Sequence, residues 1–312
     1  MVNKYIYYYM NIQYYIINNF AKFYLPYLLF REILTKVVKE NFNIAVEYVY
    51  KFESLKNDSK TIIITNLNSI DDNILNTLSS YNSKKILINT EYYENFSTSK
   101  YLDFINNKPN FYLLEYNILN INYLKNSKKN ISYHFIPLCY NKYLEDFYSS
   151  QVVKKKFVEK DIDILFLGKL NNRRKNIIKN LQKKYNVATR YLFGEDKNRE
   201  LCDLIERSKI VLNVLYYHNN IVFDYYRNSF ILSTRTLLIT EKSTNKDYNI
   251  EDGLLQLENN IINVEYNRLI ETVDKYMKIS EDEYNKLVDR QNNSLKQYKM
   301  DDKIISFFNK IL

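Results

Sequence analysis

Asp224, Arg227 and Asn228 stand at i, i+3 and i+4 in the run Phe223-Asp224-Tyr225-Tyr226-Arg227-Asn228. On a helix that spacing puts a carboxylate, a guanidinium and an amide on one face. A carboxylate near a helix start is suited to gripping the hydroxyls of a ribose or a sugar; the plainer alternative is a local Asp224–Arg227 ion pair. Before this helix an apolar run, Ile210 to Leu215, opens into the polar-aromatic loop Tyr216 to Asn220. After it a second apolar run, Thr236 to Thr240, ends on Glu241. Ligands of parallel α/β folds sit at the carboxyl ends of strands, and both the loop and Glu241 fall at such ends. His218, in the loop, could serve as a general base at neutral pH, or simply be exposed. Tyr216 and Tyr217 could stack on a ligand, but in a chain with 32 tyrosines the core is their default place.

A second candidate is Phe166 to Lys175, FLGKLNNRRK. A strand ending at Gly168 would lead through Lys169 into a helix that opens with Arg173 and Arg174. Glycine allows close backbone approach, a helix start offers free N–H groups and positive dipole, and arginine adds two-point contacts to oxyanions. The pattern is neither a dinucleotide fingerprint nor a P-loop, and an exposed basic helix start is the competing reading. Glu91 follows the apolar run Lys84 to Asn89 and stands at the carboxyl edge of a first sheet. His134 lies inside an apolar strand and reads as a core histidine.

Positioning these groups requires a repeated strand–helix pattern, and the chain has one. Expected strands are Ile44–Tyr50, Thr61–Thr65, Lys85–Asn89, Phe111–Glu115 and Ser132–Ile136, with helical stretches at Ile70–Tyr81 and Ser99–Asn106. Short continuous apolar runs between helices argue for a parallel sheet covered on both faces. The charged stretch Ser149–Lys160 lacks hydrophobic periodicity and is the expected linker. A second α/β run follows, with strands Ile162–Leu167, Val187–Phe193 and the two runs flanking Asp224, and helices Asn172–Tyr185 and Asn198–Ser208. The tail holds Ile261–Val264 and helices near Asn267–Met277, Glu281–Tyr298 and Asp301–Ile311. Ser280 before Glu281, Asp282 and Glu283 is a helix start with acidic first-turn residues. Two tandem α/β domains result, residues 1–150 and 161–312, the last helix being free to pack back on the first.

Length and composition agree with this. A chain of 312 residues, 46% hydrophobic and 26% charged, suits two soluble domains. The 32 Tyr, only 3 Gly and no Trp look like the coding bias of a very AT-rich genome, such as a large DNA virus or an AT-rich microbe. The net charge of +9 is mostly scattered, with short clusters at Lys128-Lys129, Lys154–Lys156 and Arg173–Lys175. A dedicated nucleic-acid binder concentrates its charge, so a solvated basic surface is preferred. Cys139 and Cys202 match no metal spacing and read as reduced core residues in a cytoplasmic protein. With 2 His no histidine-rich metal site is expected. The first thirty residues are apolar but interrupted by Asn3, Lys4, Asn11, Gln13, Asn18, Asn19 and Lys22, which argues against a spanning helix or a signal peptide. They would form a helix or strand packed on the first domain, or a segment lying on a membrane surface.

The motifs, taken together, resemble the group-1-like glycosyltransferases of the two-Rossmann GT-B type found in bacteria and large viruses. Strand–G–x–L–x–x–R–R corresponds to Gly168–Arg174, R–S–K–x–V–L–N to Arg207–Asn213, Y–Y to Tyr216-Tyr217, F–E–x–x–R to Phe223–Arg227, and S–E to Thr240-Glu241. More weakly, Asn89-Thr90-Glu91 is similar to Q–T–E, Glu115-Tyr116-Asn117 with Asn120 to D–Y–S–x–x–N, and Ile136–Tyr140 to V–P–L–G–Y. The likeness spans about residues 61 to 265. It implies two Rossmann-like domains facing across a cleft and a transferase without metal or other cofactor. A nucleotide-diphospho-sugar would bind mainly the second domain, and a glycan, protein or lipid acceptor would come from the first. Lys169, Arg173 and Arg174 would neutralise the diphosphate, Asp224 would replace the family glutamate on the donor hydroxyls, and Gly168, Tyr216, Tyr217, Arg227 and Glu241 would complete the donor site. Asp224, with His218 or Glu91 as side candidates, would carry the chemistry. Asp for Glu at 224, His218 where relatives often have an acidic or small residue, and Cys139 in place of Gly are departures that leave room for an altered donor or an inactive relative acting as a binding protein. The rival from another class is a basic nucleic-acid or membrane-surface adaptor.

Overall fold

A computed structural model of the chain describes residues 10–16, 25–67, 70–89, 99–137, 139–190, 198–216, 225–243 and 260–312. The chain forms two compact units, one built mainly of Tyr27–Pro137 with Met300–Leu312, the other of Leu138–Lys299. The first contains β1 (Asn11–Tyr15), α1 (Leu25–Phe42), β2 (Ala45–Val49), β3 (Thr61–Asn66), α2 (Asp72–Ser80), β4 (Lys84–Asn89), α3 (Ser99–Ile105), β5 (Phe111–Glu115), α4 (Ile118–Asn126) and β6 (Ser132–Phe135). Its sheet has six parallel strands in the order β2-β1-β3-β4-β5-β6. The strands β3 and β4 are runs of Ile and Leu because both of their faces are covered, as a parallel sheet requires.

In the second unit α5 (Lys142–Gln151) precedes β7 (Ile162–Leu167), α6 (Asn172–Leu181), β8 (Val187–Arg190), α7 (Asn198–Glu206), β9 (Ser208–Asn213), α8 (Tyr225–Leu232), β10 (Leu237–Glu241), β11 (Ile262–Val264), α9 (Leu269–Tyr276) and α10 (Glu281–Lys296). Its five parallel strands run β11-β10-β9-β7-β8. The last helix, α11 (Met300–Ile311), belongs to the first unit. There Phe308 meets Phe42 at 5.9 Å between ring centroids, and Phe307 meets His134 at 4.7 Å.

Both units are therefore Rossmann-like α/β layers with wholly parallel sheets. Numbered within each sheet, the order starts 2-1-3-4, so the winding reverses between the first and third strands. Crevices at such reversals bind ligands in open α/β folds. In the second unit the reversal lies between β7 and β9, paired from Ile162↔Ser208 to Phe166↔Leu212.

The structure decides between two readings of the N-terminal stretch, revises the expected linker and adds one helix. Asn11–Tyr15, within the interrupted N-terminal stretch, is an inner strand between β2 and β3, and Ile12 to Tyr15 are buried. Those residues are thereby withdrawn from any surface. Ser149–Lys160 is no loose tether: α5 runs through Gln151 and a turn of 3-10 helix forms at Phe157–Glu159. Ile118–Asn126, to which no element was assigned, is a helix capped by the Asn117 side chain at Leu119 N. His134 is half-buried against Phe307, with its pKa lowered by burial and by the charge of Lys310. Cys139 and Cys202 are both buried and in no disulfide. Among the described residues no helix is long and apolar enough to cross a membrane.

Candidate functional site

The β7–α6 turn begins at Gly168, whose φ of +136° lies in the left-handed range that side chains disfavour. A Cβ there would stand 3.3 Å from Arg174 Nη1 and 3.3 Å from Arg227 Nη1. Two guanidiniums thus flank one bare stretch of backbone at the reversal of the sheet. Converging cations repel one another, and an anion between them would relieve the repulsion.

Each arginine is aimed by its neighbours. Asn171 caps α6, accepting from Arg174 N at 3.0 Å, while its Nδ2 donates to Tyr216 O at 2.6 Å. That pair of bonds ties the turn after β7 to the turn after β9. The buried Arg174 donates from Nε to Val214 O and from Nη1 to Lys169 O, each at 2.8 Å. Its guanidinium lies 5.0 Å from the ring centre of Tyr216 and 5.4 Å from that of Phe166. Arg227, in the first turn of α8, donates from Nη1 to Asn213 Oδ1 at 3.1 Å, and Asn213 Nδ2 donates to Thr240 Oγ1 at 3.1 Å.

Arg173 points to the next strand end. Its Nη1 donates to Glu241 Oε2 at 2.6 Å and to Leu215 O at 3.0 Å, and its Nη2 to Glu241 Oε1. The guanidinium lies 3.8 Å from the centre of the Tyr266 ring, whose hydroxyl donates to Arg173 O at 2.8 Å. Glu241 Oε2 also accepts from Leu215 N at 2.9 Å. The first turn of α6 contains no acidic residue although helix starts favour them. Arg173, Arg174 and Lys175 stand there instead, a placement suited to an anionic ligand.

The structure thus brings Gly168, Arg174, Arg227 and Tyr216 together, with Lys169 in the same turn, and places Arg173 and Glu241 beside them as partners of each other. Tyr217, His218, Asp224 and Glu91 lie outside the described residues. Asn213, Leu215 and Tyr266 were not among the sequence candidates. Asn213 carried a signal, being the one amide that ends the apolar run of β9; Leu215 acts through its backbone and Tyr266 through tertiary packing, and neither leaves a local mark. In the first unit Glu115 ends β5 as a fully buried carboxylate. It accepts from Asn89 Nδ2 at 3.0 Å and Asn120 Nδ2 at 2.8 Å.

No protein-family model and no curated protein matches the chain. Solved structures do. The β-glucosyltransferase of phage T4 in complex with UDP-glucose aligns over 96% of this chain and 99% of its own, at 13% identity and a TM-score of 0.59. An E. coli trehalose-6-phosphate synthase structure bound with UDP-2-fluoro glucose covers 90% of this chain and 77% of its own, at 9% identity and a TM-score of 0.53. The N-terminal domain of Candida albicans trehalose-6-phosphate phosphatase covers 97% and 96%, at 11% identity and a TM-score of 0.55. With two parallel α/β sheets that match these proteins over nearly its whole length, the chain has the fold of the GT-B glycosyltransferases.

Proposed function

We propose that the protein is a glycosyltransferase that takes a sugar from a nucleotide-diphospho-sugar and needs no metal to do so. The observation that carries this reading is the pair of guanidiniums, Arg174 and Arg227, set 3.3 Å from where a Cβ of Gly168 would be. In such a transfer the bond between the anomeric carbon and the diphosphate oxygen breaks, and negative charge develops on the leaving oxygen. Preorganised cations and backbone N–H groups stabilise that charge most when it is fully formed. Lys169, Arg174 and Arg227 would do this work, with Arg173 held beside them. Asp224 would hold the donor hydroxyls, and His218 or Glu91 would accept the proton of the attacking acceptor hydroxyl. Two structural neighbours were determined with UDP-glucose or a fluoro analogue of it, which makes UDP-sugars the first donors to try. The acceptor is a glycan, protein or lipid.

The test is a thermal-shift screen of UDP-, GDP-, ADP- and CMP-sugars, followed by donor hydrolysis with the best of them. One donor class should stabilise the protein, and Asp224→Ala should remove the effect while the unliganded melting temperature stays put. Lack of stabilisation by all four classes at millimolar concentration would overturn the reading.

A further inference from the structure

The segment between α5 and β7 has a job that the transferase reading leaves unused. Its sequence is Val152-Val153-Lys154-Lys155-Lys156-Phe157-Val158-Glu159-Lys160. It is pinned to the second unit at several points. Lys155 N donates to Glu206 Oε1 at 2.8 Å, Phe157 N to Glu281 Oε1 at 3.1 Å, and Lys160 Nζ to Glu206 O at 2.5 Å. The Phe157 ring packs on Tyr284 at 4.7 Å between centroids. Held this way, the strap turns Phe157 and Lys160 toward the protein and Val153, Lys154, Lys156, Val158 and Glu159 to solvent.

The exposure of the two valines is extreme, 86% for Val153 and 76% for Val158. Exposed aliphatic side chains alternating with lysines on a fixed strap are the combination that interfacial membrane segments use. Among the described residues Lys154 and Lys156 form no ion pair, while the acidic groups around them have other partners, backbone N–H groups or cations. Glu159 Oε2 accepts from Lys156 N at 2.6 Å, Asp161 pairs with Arg207 at 2.5 Å, Asp163 pairs with Lys209 at 2.8 Å, and Glu206 and Glu281 accept from the strap itself. The strap therefore offers Lys154, Lys155 and Lys156 against the single exposed carboxylate of Glu159, a net positive segment between two aliphatic tips.

We propose that this strap is a docking surface for an anionic phospholipid membrane. Aliphatic tips gain by entering the acyl boundary while lysines pair with anionic headgroups. A single-stranded nucleic acid would instead call for aromatic platforms or arginine, and the outward positions of the strap hold neither. The site is distinct from the N-terminal stretch and independent of any transferase activity.

Co-sedimentation of the full chain with vesicles tests it. Binding should be stronger to phosphatidylcholine mixed with phosphatidylserine than to phosphatidylcholine alone. Lys154→Glu with Lys156→Glu, and separately Val153→Ser with Val158→Ser, should each weaken binding to the mixed vesicles by about tenfold. Unchanged melting temperatures would show both variants folded. Equal binding to the two vesicle types would overturn the proposal, as would wild-type binding by both double variants. Tighter, salt-sensitive binding to an oligonucleotide that depends on the same lysines would overturn it in favour of a nucleic-acid surface. Because donor-induced stabilisation is measured without vesicles, failure here leaves the transferase reading standing.

Discussion

Arg173 and Glu241 meet as a two-point ion pair at the carboxyl edge of the second sheet, 2.6 Å between Nη1 and Oε2, with Glu241 almost wholly buried. The same two side chains grip both backbone groups of Leu215, one at its N–H and one at its carbonyl. Three strand ends, those of β7, β9 and β10, are thereby fixed in one geometry. The pair holds the floor of the candidate site whether or not it touches a ligand.

Removing one partner leaves the other charged and buried, which costs about 3–5 kcal/mol in comparable pairs. Glu241→Ala should lower stability by about 3 kcal/mol in chemical denaturation, and Glu241→Gln by less. Loss of donor binding in Glu241→Ala without loss of stability would show a direct ligand contact instead.

Gly168→Ala forces a side chain into φ +136° and against Arg174 and Arg227. A strained backbone of this kind costs about 1–3 kcal/mol. Donor affinity should fall further than stability alone explains, because the two guanidiniums must move apart. Calorimetric titration with the best donor measures the loss of affinity, and chemical denaturation of the variant measures the loss of stability.

Arg227→Ala should weaken donor binding by about ten- to a hundredfold, the range for a lost charge-assisted hydrogen bond. Arg227→Lys should rescue little, since Lys cannot hold Asn213 and a phosphate oxygen with one planar fork. An affinity equal to wild type in both variants would remove Arg227 from the site.

Stability should depend on pH in a two-sided way. Burial pulls the pKa of Lys160 down to about 8, with Glu206 partly opposing, and burial with the nearby charge of Lys108 pulls Lys85 down to about 8. The folded protein releases these protons near pH 8, while the unfolded chain keeps them up to the ordinary value near 10.5. Between those limits the unfolded state binds more protons, so stability rises with pH, by on the order of 1–3 kcal/mol in all. Burial raises the pKa of Tyr14, Tyr148 and Tyr284. Above about pH 10 the unfolded tyrosines ionise first and stability falls. Melting temperatures should peak between about pH 9 and 10, and Lys160→Met should flatten the rising limb.

How much of this could be read from the residues follows from what each signal depends on. Strands buried on both faces write themselves as apolar runs, so Ile162–Leu167 was legible to the residue. β1 was not, because Asn11 and Gln13 break its run, and Gln13 finds its partners in Glu47, Ser54 and Lys56 from distant segments. Missing β1 hid the reversal point of the first sheet. In the second unit the glycine and arginines were legible as types. Their convergence was not, because Arg227 and Gly168 lie far apart in sequence and meet only through the order of the strands.

The return of α11 to the first unit has a consequence for how the protein is made. Outgoing and returning segments pair where they pass, at Tyr140 and Lys299, and Lys84 donates its Nζ to Ile311 O in the final turn of the helix. Domains emerging from a ribosome ordinarily fold in order, the N-terminal one first. Here the first unit lacks Met300, Ile304, Phe307, Phe308 and Ile311 from its core until the whole second unit has been synthesised. The second unit can close while the first still waits with an apolar groove uncovered. Nascent chains stalled before Met300 should therefore recruit chaperones through the earlier half of the sequence.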